Sequence, residues 1–190
     1  MDAKCLTAML SKREINRASI APIGTYTSVN EIYTMNISQA TVDDAAAILQ
    51  LQKIAYRSEA ELHDDFDIPP LTQSLAQLEA EFEHKIILKI EQQGVIVASG
   101  QVSFKDGCAF IARMAVIPAL QGRGLGSRLM AALESSFPKA EYYRLFTGAK
   151  STRNLAMYQR RGYQEYARKL LGKTEVVYLQ KDASDAMYNS

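Results

Sequence analysis

Cysteine is scarce in this sequence: Cys5 and Cys108 are the only two among 190 residues. Two thiols cannot build a disulfide framework, so the pattern fits a reducing cytoplasm better than an oxidising compartment. Histidine is equally scarce. His63 and His84 stand apart from each other and from both cysteines, so no metal-ligand spacing exists and no metal is expected. No apolar run reaches the roughly 18 residues that a membrane helix needs, and no membrane partner is expected. Charge of one sign is also missing. The net charge is +1, which gives no global field to attract nucleic acid. Basic residues do collect in the C-terminal third (Lys139, Arg144, Lys150, Arg153, Arg160, Arg161, Arg168, Lys169), but acids elsewhere balance them. What is present is an ordinary globular composition, 47 % hydrophobic and 23 % charged, in a length that suits one domain with a short extension.

The chain divides into three stretches. Residues 1–34 carry scattered basic residues, then Pro22, Gly24 and several Ser and Thr, and show no sustained apolar face. They have neither the apolar core of a secretory signal nor an acid-poor presequence, since Asp2 and Glu14 interrupt them. A poorly ordered extension is expected there. Periodic structure begins at Met35, which makes Met35 a candidate functional start. Residues 35–181 read as a single domain and 182–190 as a tail.

Within 35–181 the pattern is regular. Met35 to Ala40 reads as a short strand, followed by a helix capped by Thr41 with Asp43 and Asp44 in its first turn and running to about Arg57. Ser58 to Leu71 is acidic, ends in Pro69-Pro70, and reads as a helix end plus loop. Thr72 to His84 reads as a second helix. Strands follow at Lys85–Gln92, Val95–Phe104 and Cys108–Val116, with turns at Gln93-Gly94 and Asp106-Gly107. A helix opens near Gly124, a strand covers Tyr142–Thr147, and a helix covers Ser151–Arg161 with Gly162 as its stop. Tyr163–Leu170 and Thr174–Gln180 close the chain as an antiparallel pair. The order β-α-α-β-β-β-α-β-α-β-β is that of a mixed α/β layer fold.

One stretch carries chemistry. Met114-Ala115-Val116-Ile117-Pro118 is strand-like, Gln121-Gly122-Arg123-Gly124-Leu125-Gly126 is a glycine-rich turn, and Ser127 lies in the helix that follows. Unpaired amides at a helix N-terminus, with a favourable dipole, suit an anionic group. Glycines let the backbone approach phosphate oxygens. A P-loop would need Gly-Lys followed by Ser or Thr, which is absent. A dinucleotide fingerprint would need a glycine where Ser127 stands. A glycine-rich connection with no ligand is the plain alternative.

The turn resembles motif A of the GNAT superfamily of N-acetyltransferases: Arg or Gln, two residues, Gly, one residue, Gly or Ala, here Gln121, Gly124 and Gly126. Downstream, Asn154, Tyr158 and Gly162-Tyr163 resemble that superfamily's motif B. The resemblance spans about residues 35–181. It implies a GNAT-like, mostly antiparallel central sheet with helices on both faces, and acetyl-CoA as co-substrate wedged between the fourth and fifth strands. By position, the backbone of Met114, Ala115 and Val116 would pair with the pantetheine arm. The amides of Gln121, Gly122, Arg123, Gly124, Leu125 and Gly126, with Ser127, would hold the pyrophosphate. Asn154 would meet the cofactor arm. Tyr158 would be the catalytic acid that protonates the departing thiolate, and some of the C-terminal basic residues would serve the 3′-phosphate.

The implied reaction is transfer of an acetyl group to a primary amine of a small molecule or peptide, by direct attack on the thioester. Acetylation of protein N-termini or lysines is the alternative, and a non-catalytic acyl-CoA sensor is the alternative of another class. An alkyl amine has a pKa near 10, so at neutral pH roughly one molecule in a thousand is uncharged, and a base is needed. Some relatives place a glutamate on the fourth strand, where Phe110 stands here. Glu59, Glu61 and His63, in the acidic segment over the expected amine cleft, are the candidate substrate-binding residues. A backbone N–H near Ala115 or Val116 is the candidate oxyanion donor. Many relatives dimerise, and Thr174–Gln180 is an expected exposed edge through which a homodimer would pair.

Overall fold

The structure, a computed structural model, describes residues 35–184. The expected N-terminal extension, and the tail beyond Ser184, lie outside the described residues.

The elements are β1 (Ile37–Gln39), α1 (Ala45–His63), α2 (Pro69–Thr72), α3 (Leu75–Glu81), β2 (Ile86–Gln92), β3 (Val95–Lys105), β4 (Cys108–Val116), α4 (Leu125–Ser135), β5 (Tyr142–Gly148), α5 (Thr152–Arg160), β6 (Gln164–Leu171) and β7 (Thr174–Asp182). Among the described residues, seven strands form one sheet in the order β1-β2-β3-β4-β5-β7-β6. Every pairing is antiparallel except β4 with β5, which is parallel. This is the mixed, mostly antiparallel sheet expected from the element order. Both hairpin signals hold for a local reason. Gln93-Gly94 and Asp106-Gly107 each place two consecutive residues at positive φ (52° and 76°, 48° and 76°), the geometry of a tight turn between right-twisted strands.

Helices cover both faces. On one face, Ala45, Ile48 and Leu49 of α1 and Leu78 of α3 pack against Ile87, Ile96 and Ala115. On the other, Leu125, Leu129, Met130 and Leu133 of α4, with Tyr158 of α5, pack against Ile90, Val102, Ile111, Val177 and Leu179. Glu134 of α4 is also buried on that second face, among Lys181, Arg161 and Tyr163.

Three expectations are corrected. First, α1 does not stop near Arg57 but runs to His63, where Asp64 ends it in the left-handed region at φ 53°. Ala60 is fully buried in these extra turns, so tertiary contacts hold a segment that its acidic composition suggested was loop. Pro69-Pro70 opens a one-turn helix, consistent with the fit of proline to a first helical turn. Second, α3 begins at Leu75 rather than Thr72. Ser74 Oγ accepts the Gln77 N–H at 3.2 Å, and Gln77 Oε1 accepts the Ser74 N–H at 2.8 Å, a reciprocal cap that marks the start. Third, Thr174–Gln180 is not an edge. It lies in β7, paired on one side with β5 and on the other with β6, so the edge on that side of the sheet is β6.

Candidate active site

The site begins as a split in the sheet. β4 and β5 pair only at Cys108–Tyr142, Ala109–Tyr143 and Phe110–Arg144, although β4 continues to Val116 and β5 to Gly148. The cause is local to β4. Its register with β3 shifts between Ser99 and Gln101, and Arg113 sits opposite that shift at φ 55°. An extra residue in one strand bends and twists it, here away from β5. Gly100 makes room for the bend, because a Cβ there would lie 2.6 Å from Met114 Sδ. The segment Met114–Val116 therefore runs with no strand on its β5 side.

The glycine-rich turn lies at the end of this split. The Gln121 side-chain amide donates to the Val116 carbonyl at 3.1 Å and folds the turn back onto the strand. Gly122 and Gly124 take φ of 78° and 86°. The first helical hydrogen bond of α4 runs from the Arg128 N–H to the Gly124 carbonyl at 3.0 Å, so the amides of Leu125, Gly126 and Ser127 have no partner within the helix. They sit at the positive end of its dipole. Arg153 of α5 reaches over the turn: a Cβ on Gly122 would lie 2.7 Å from its Nη2. The Leu125 side chain is buried in the core, so only its backbone N–H is offered to the site.

At the mouth of the split, α1 meets α5. Glu59 Oε1 accepts the Asn154 side-chain amide at 3.0 Å, and the Ser151 hydroxyl donates to Glu59 Oε2. The same Ser151 Oγ lies 3.2 Å from His63 Nε2. His63 fits there because β5 ends in a glycine: a Cβ on Gly148 would overlap the imidazole ring. Tyr56, one turn before Glu59, and Tyr158 complete the cluster. Burial pushes the Tyr56 hydroxyl up to about 12, with Arg113 pulling it partly back and Glu59 pushing it up. Burial also raises Tyr158, and the nearby Tyr56 and Glu59 add to the effect. Both phenols therefore keep their protons at neutral pH.

The structure thus brings together Glu59, His63, Asn154 and Tyr158 of the expected residues, but not Glu61. Glu61 pairs with Arg57 at 3.2 Å, and both side chains are exposed. Two positions along a helix from Glu59 is nearly the opposite face, so the two acids cannot serve one site. Ser151, Tyr56 and Arg113 had not been expected. Tyr56 had a readable signal, since it continues the inner stripe of α1 three residues before Glu59. Ser151 and Arg113 had none, because their roles depend on contacts between distant segments. Among the described residues, no group of three or more His, Cys, Asp or Glu is placed to hold a metal, and no helix is long and apolar enough to cross a membrane.

Residues 45–163 match the profile of the Acetyltransferase (GNAT) family. The chain belongs to that family. Solved structures agree on the GNAT fold. An N-acetyltransferase (PaiA) of Thermoplasma acidophilum, in complex with coenzyme A, superposes with a TM-score of 0.67 at 12 % identity, covering 78 % of this chain and 99 % of that one. A ribosomal-protein-alanine N-acetyltransferase of Brucella melitensis gives 0.62 at 19 % identity, covering 77 % and 99 %. A spermidine N-acetyltransferase chimera from Vibrio cholerae and hSSAT gives 0.64 at 16 % identity, covering 82 % and 99 %. No curated protein matches the chain significantly in sequence.

Four tyrosines make this GNAT domain sensitive to alkali. Tyr56, Tyr143, Tyr158 and Tyr163 are all raised by burial. Unfolded tyrosines ionise near pH 10, whereas these hold their protons higher, so above that pH the folded chain binds more protons than the unfolded one. Stability must then fall as pH rises. Urea melts should give a nearly constant midpoint from pH 7 to 9 and a steep decline from about pH 10. A profile that stayed flat through pH 11 would contradict the burial of these hydroxyls.

Proposed function

We propose that this GNAT domain transfers an acetyl group from acetyl-CoA to the primary amine of a small molecule or peptide. The observation that carries the reading is the split between β4 and β5, flanked by a row of α4 amides with no partner within the helix and by a carboxylate beside two protonated phenols, both reached from the start of α5.

The residues fit a coenzyme A thioester. The amides from Gly122 to Ser127 form an anion seat sized by glycines, with the Arg153 guanidinium beside it. The backbone of Met114, Ala115 and Val116 in β4 has no strand paired on its β5 side and presents that edge to an extended amide-bearing arm, with the Val116 carbonyl already accepting the Gln121 amide. When bound, the thioester supplies an activated acyl group. Glu59 receives the acceptor as an ammonium ion. Each of its oxygens has one hydrogen-bond partner, which leaves lone pairs free for a proton. Asn154 then acts by orienting Glu59, in addition to lining the cleft. Tyr158 holds a proton at neutral pH and donates it to the leaving thiolate.

Gly126 gives the cleanest test. A Cβ there meets only Met157 Sδ at 3.7 Å and Val116 Cγ2 at 4.0 Å, so a side chain is tolerated. Gly126→Glu places a carboxylate in the anion seat while an acid in the first turn favours the helix. The unmodified chain, with acetyl-CoA at about 100 times its dissociation constant, should gain roughly 2.7 kcal/mol, a rise of several degrees in Tm. The variant should melt at the same temperature without ligand and lose most of that rise. Free-thiol release against spermidine, an alanine-initiated peptide and phenethylamine then reads turnover. An equal rise in the variant would place the donor elsewhere. No thiol release with any of the three would count against amine acetylation.

A further inference from the structure

We propose that Ser151 and His63 form a relay that carries the acceptor's proton from Glu59 to solvent. The inference rests on the acetyl-transfer reading above and adds two residues to it.

The stoichiometry requires an exit. Acylation of an ammonium ion by a thioester forms one C–N bond, breaks one C–S bond, and yields an amide, a thiol and one free proton. Tyr158 gives its proton to sulfur and recovers one from the nitrogen that has become an amide. The proton taken by Glu59 is the one left over, and it must leave before the next acceptor binds.

Few groups around Glu59 are able to take it. From α1, Tyr56 is held protonated by burial, and so is Tyr158 from α5. Arg113, from β4, carries its charge permanently. Asn154 only donates, 3.0 Å from Oε1. Among the described residues, the remaining hydrogen-bonded path runs through Ser151 Oγ to His63 Nε2, 3.2 Å further on. His63 is half-buried, at the last turn of α1, where its ring reaches both the cluster and water. An imidazole can take a proton at one ring nitrogen and give one up at the other, which suits a shuttle.

The proton count closes at each atom. At rest the serine hydroxyl donates to the carboxylate. Once Glu59 is protonated, its O–H turns to Ser151 Oγ, and the serine hydroxyl turns to His63 Nε2, which accepts while Nδ1 carries the ring proton. Transfer along the chain leaves Glu59 ionised, Ser151 a hydroxyl and His63 an imidazolium, which releases one proton to water. Exchange with water then moves the remaining ring proton from Nε2 back to Nδ1, so that Nε2 is free to accept in the next cycle. The absence of a side chain on Gly148 is an independent sign that the ring's place is built in, since any Cβ would displace it.

The experiment uses the full chain, acetyl-CoA at saturation, and whichever of the three amines above is turned over fastest. Ser151→Ala and His63→Ala should each lower kcat by about tenfold to a hundredfold, at the lower end of the effect of a positioned acid–base group, with the KM for acetyl-CoA unchanged. Ser151→Thr, which keeps the hydroxyl, should retain most of the activity. Added imidazole should restore His63→Ala but not Ser151→Ala. Gly148→Ala, which leaves His63 in the sequence but moves its ring, should behave like His63→Ala. If Ser151→Ala and His63→Ala keep full kcat while Glu59→Gln loses it, the relay is overturned and the acetyl-transfer reading stands. If Glu59→Gln also keeps full kcat, or the unmodified chain turns over none of the amines, that reading falls and the relay with it.

Discussion

Glu134→Ala should lower the stability of this domain by about 3–5 kcal/mol, the usual cost of removing one partner of a buried ion pair. At 2–4 °C per kcal/mol for a chain of this size, Tm should fall by roughly 10 °C. The side chains of Glu134 and Lys181 are only 7 % and 8 % exposed, and their charged atoms lie 3.0 Å apart. The same carboxylate accepts Arg161 Nη2 at 3.1 Å and the Tyr163 hydroxyl at 3.0 Å. Without it, the Lys181 ammonium stays in the core with only the faces of Tyr143 and Tyr163, each 5.9 Å away, to stabilise it. Those rings offset part of the loss but cannot replace a carboxylate. Glu134→Gln keeps an acceptor for Tyr163 and should fall between the two. Glu134→Leu combined with Lys181→Met removes both charges together and should recover most of the loss, because the pair's attraction is largely spent on its own desolvation. Paired thermal melts of the four chains check this. A Glu134→Ala midpoint within 2 °C of the parent, less than 1 kcal/mol on that scale, would show that water reaches Lys181.

Much of this architecture was legible because its causes are local. Asp106-Gly107 and Gln93-Gly94 specify their turns through two consecutive positive φ values. Gly122 and Gly124 specify a strand-to-helix turn through two separate positive φ values, and one side-chain bond from Gln121, within five residues, holds it. Other features depend on what the chain meets later. The end of α1 looked like loop because Glu59, Glu61, Asp64, Asp65 and Asp67 are all acidic. Yet Glu59 finds Ser151 and Asn154 more than 90 residues away, Asp65 finds the Thr174 hydroxyl at 2.8 Å, and Glu61 stays in solvent. Helix phase separates these acids, and a helix read only as far as Arg57 assigns them no phase. Strand order was hidden similarly. A final antiparallel pair follows from Gly172-Lys173, but nothing local says which of its strands joins β5. Nothing local signals that Glu134, next to Leu133 in α4, is buried, because its partners come from 27 to 47 residues further on.

Tyr158→Phe should cut kcat by about 10²- to 10⁴-fold, the range for a lost acid–base group, and leave acetyl-CoA affinity intact. The argument turns on how little else the hydroxyl does. The ring is 6 % exposed and packs edge-on against Tyr163 at 5.9 Å, contacts that phenylalanine reproduces. The hydroxyl makes no hydrogen bond to the described residues, so its removal leaves none of them unpaired. The ligand-induced rise in Tm should therefore be the same in variant and parent. The pH dependence provides a further check. Because burial raises this phenol, the parent should show no loss of kcat through Tyr158 ionisation below about pH 10, the ordinary tyrosine value, and any decline from that cause must come above it. Tyr158→Phe should remove that alkaline decline along with the rate. Full turnover in the variant would mean that water protonates the thiolate and that Tyr158 is a core residue beneath the site. Unchanged binding in a protein that releases no thiol even with Tyr158 present would instead describe a domain that holds acyl-CoA without spending it.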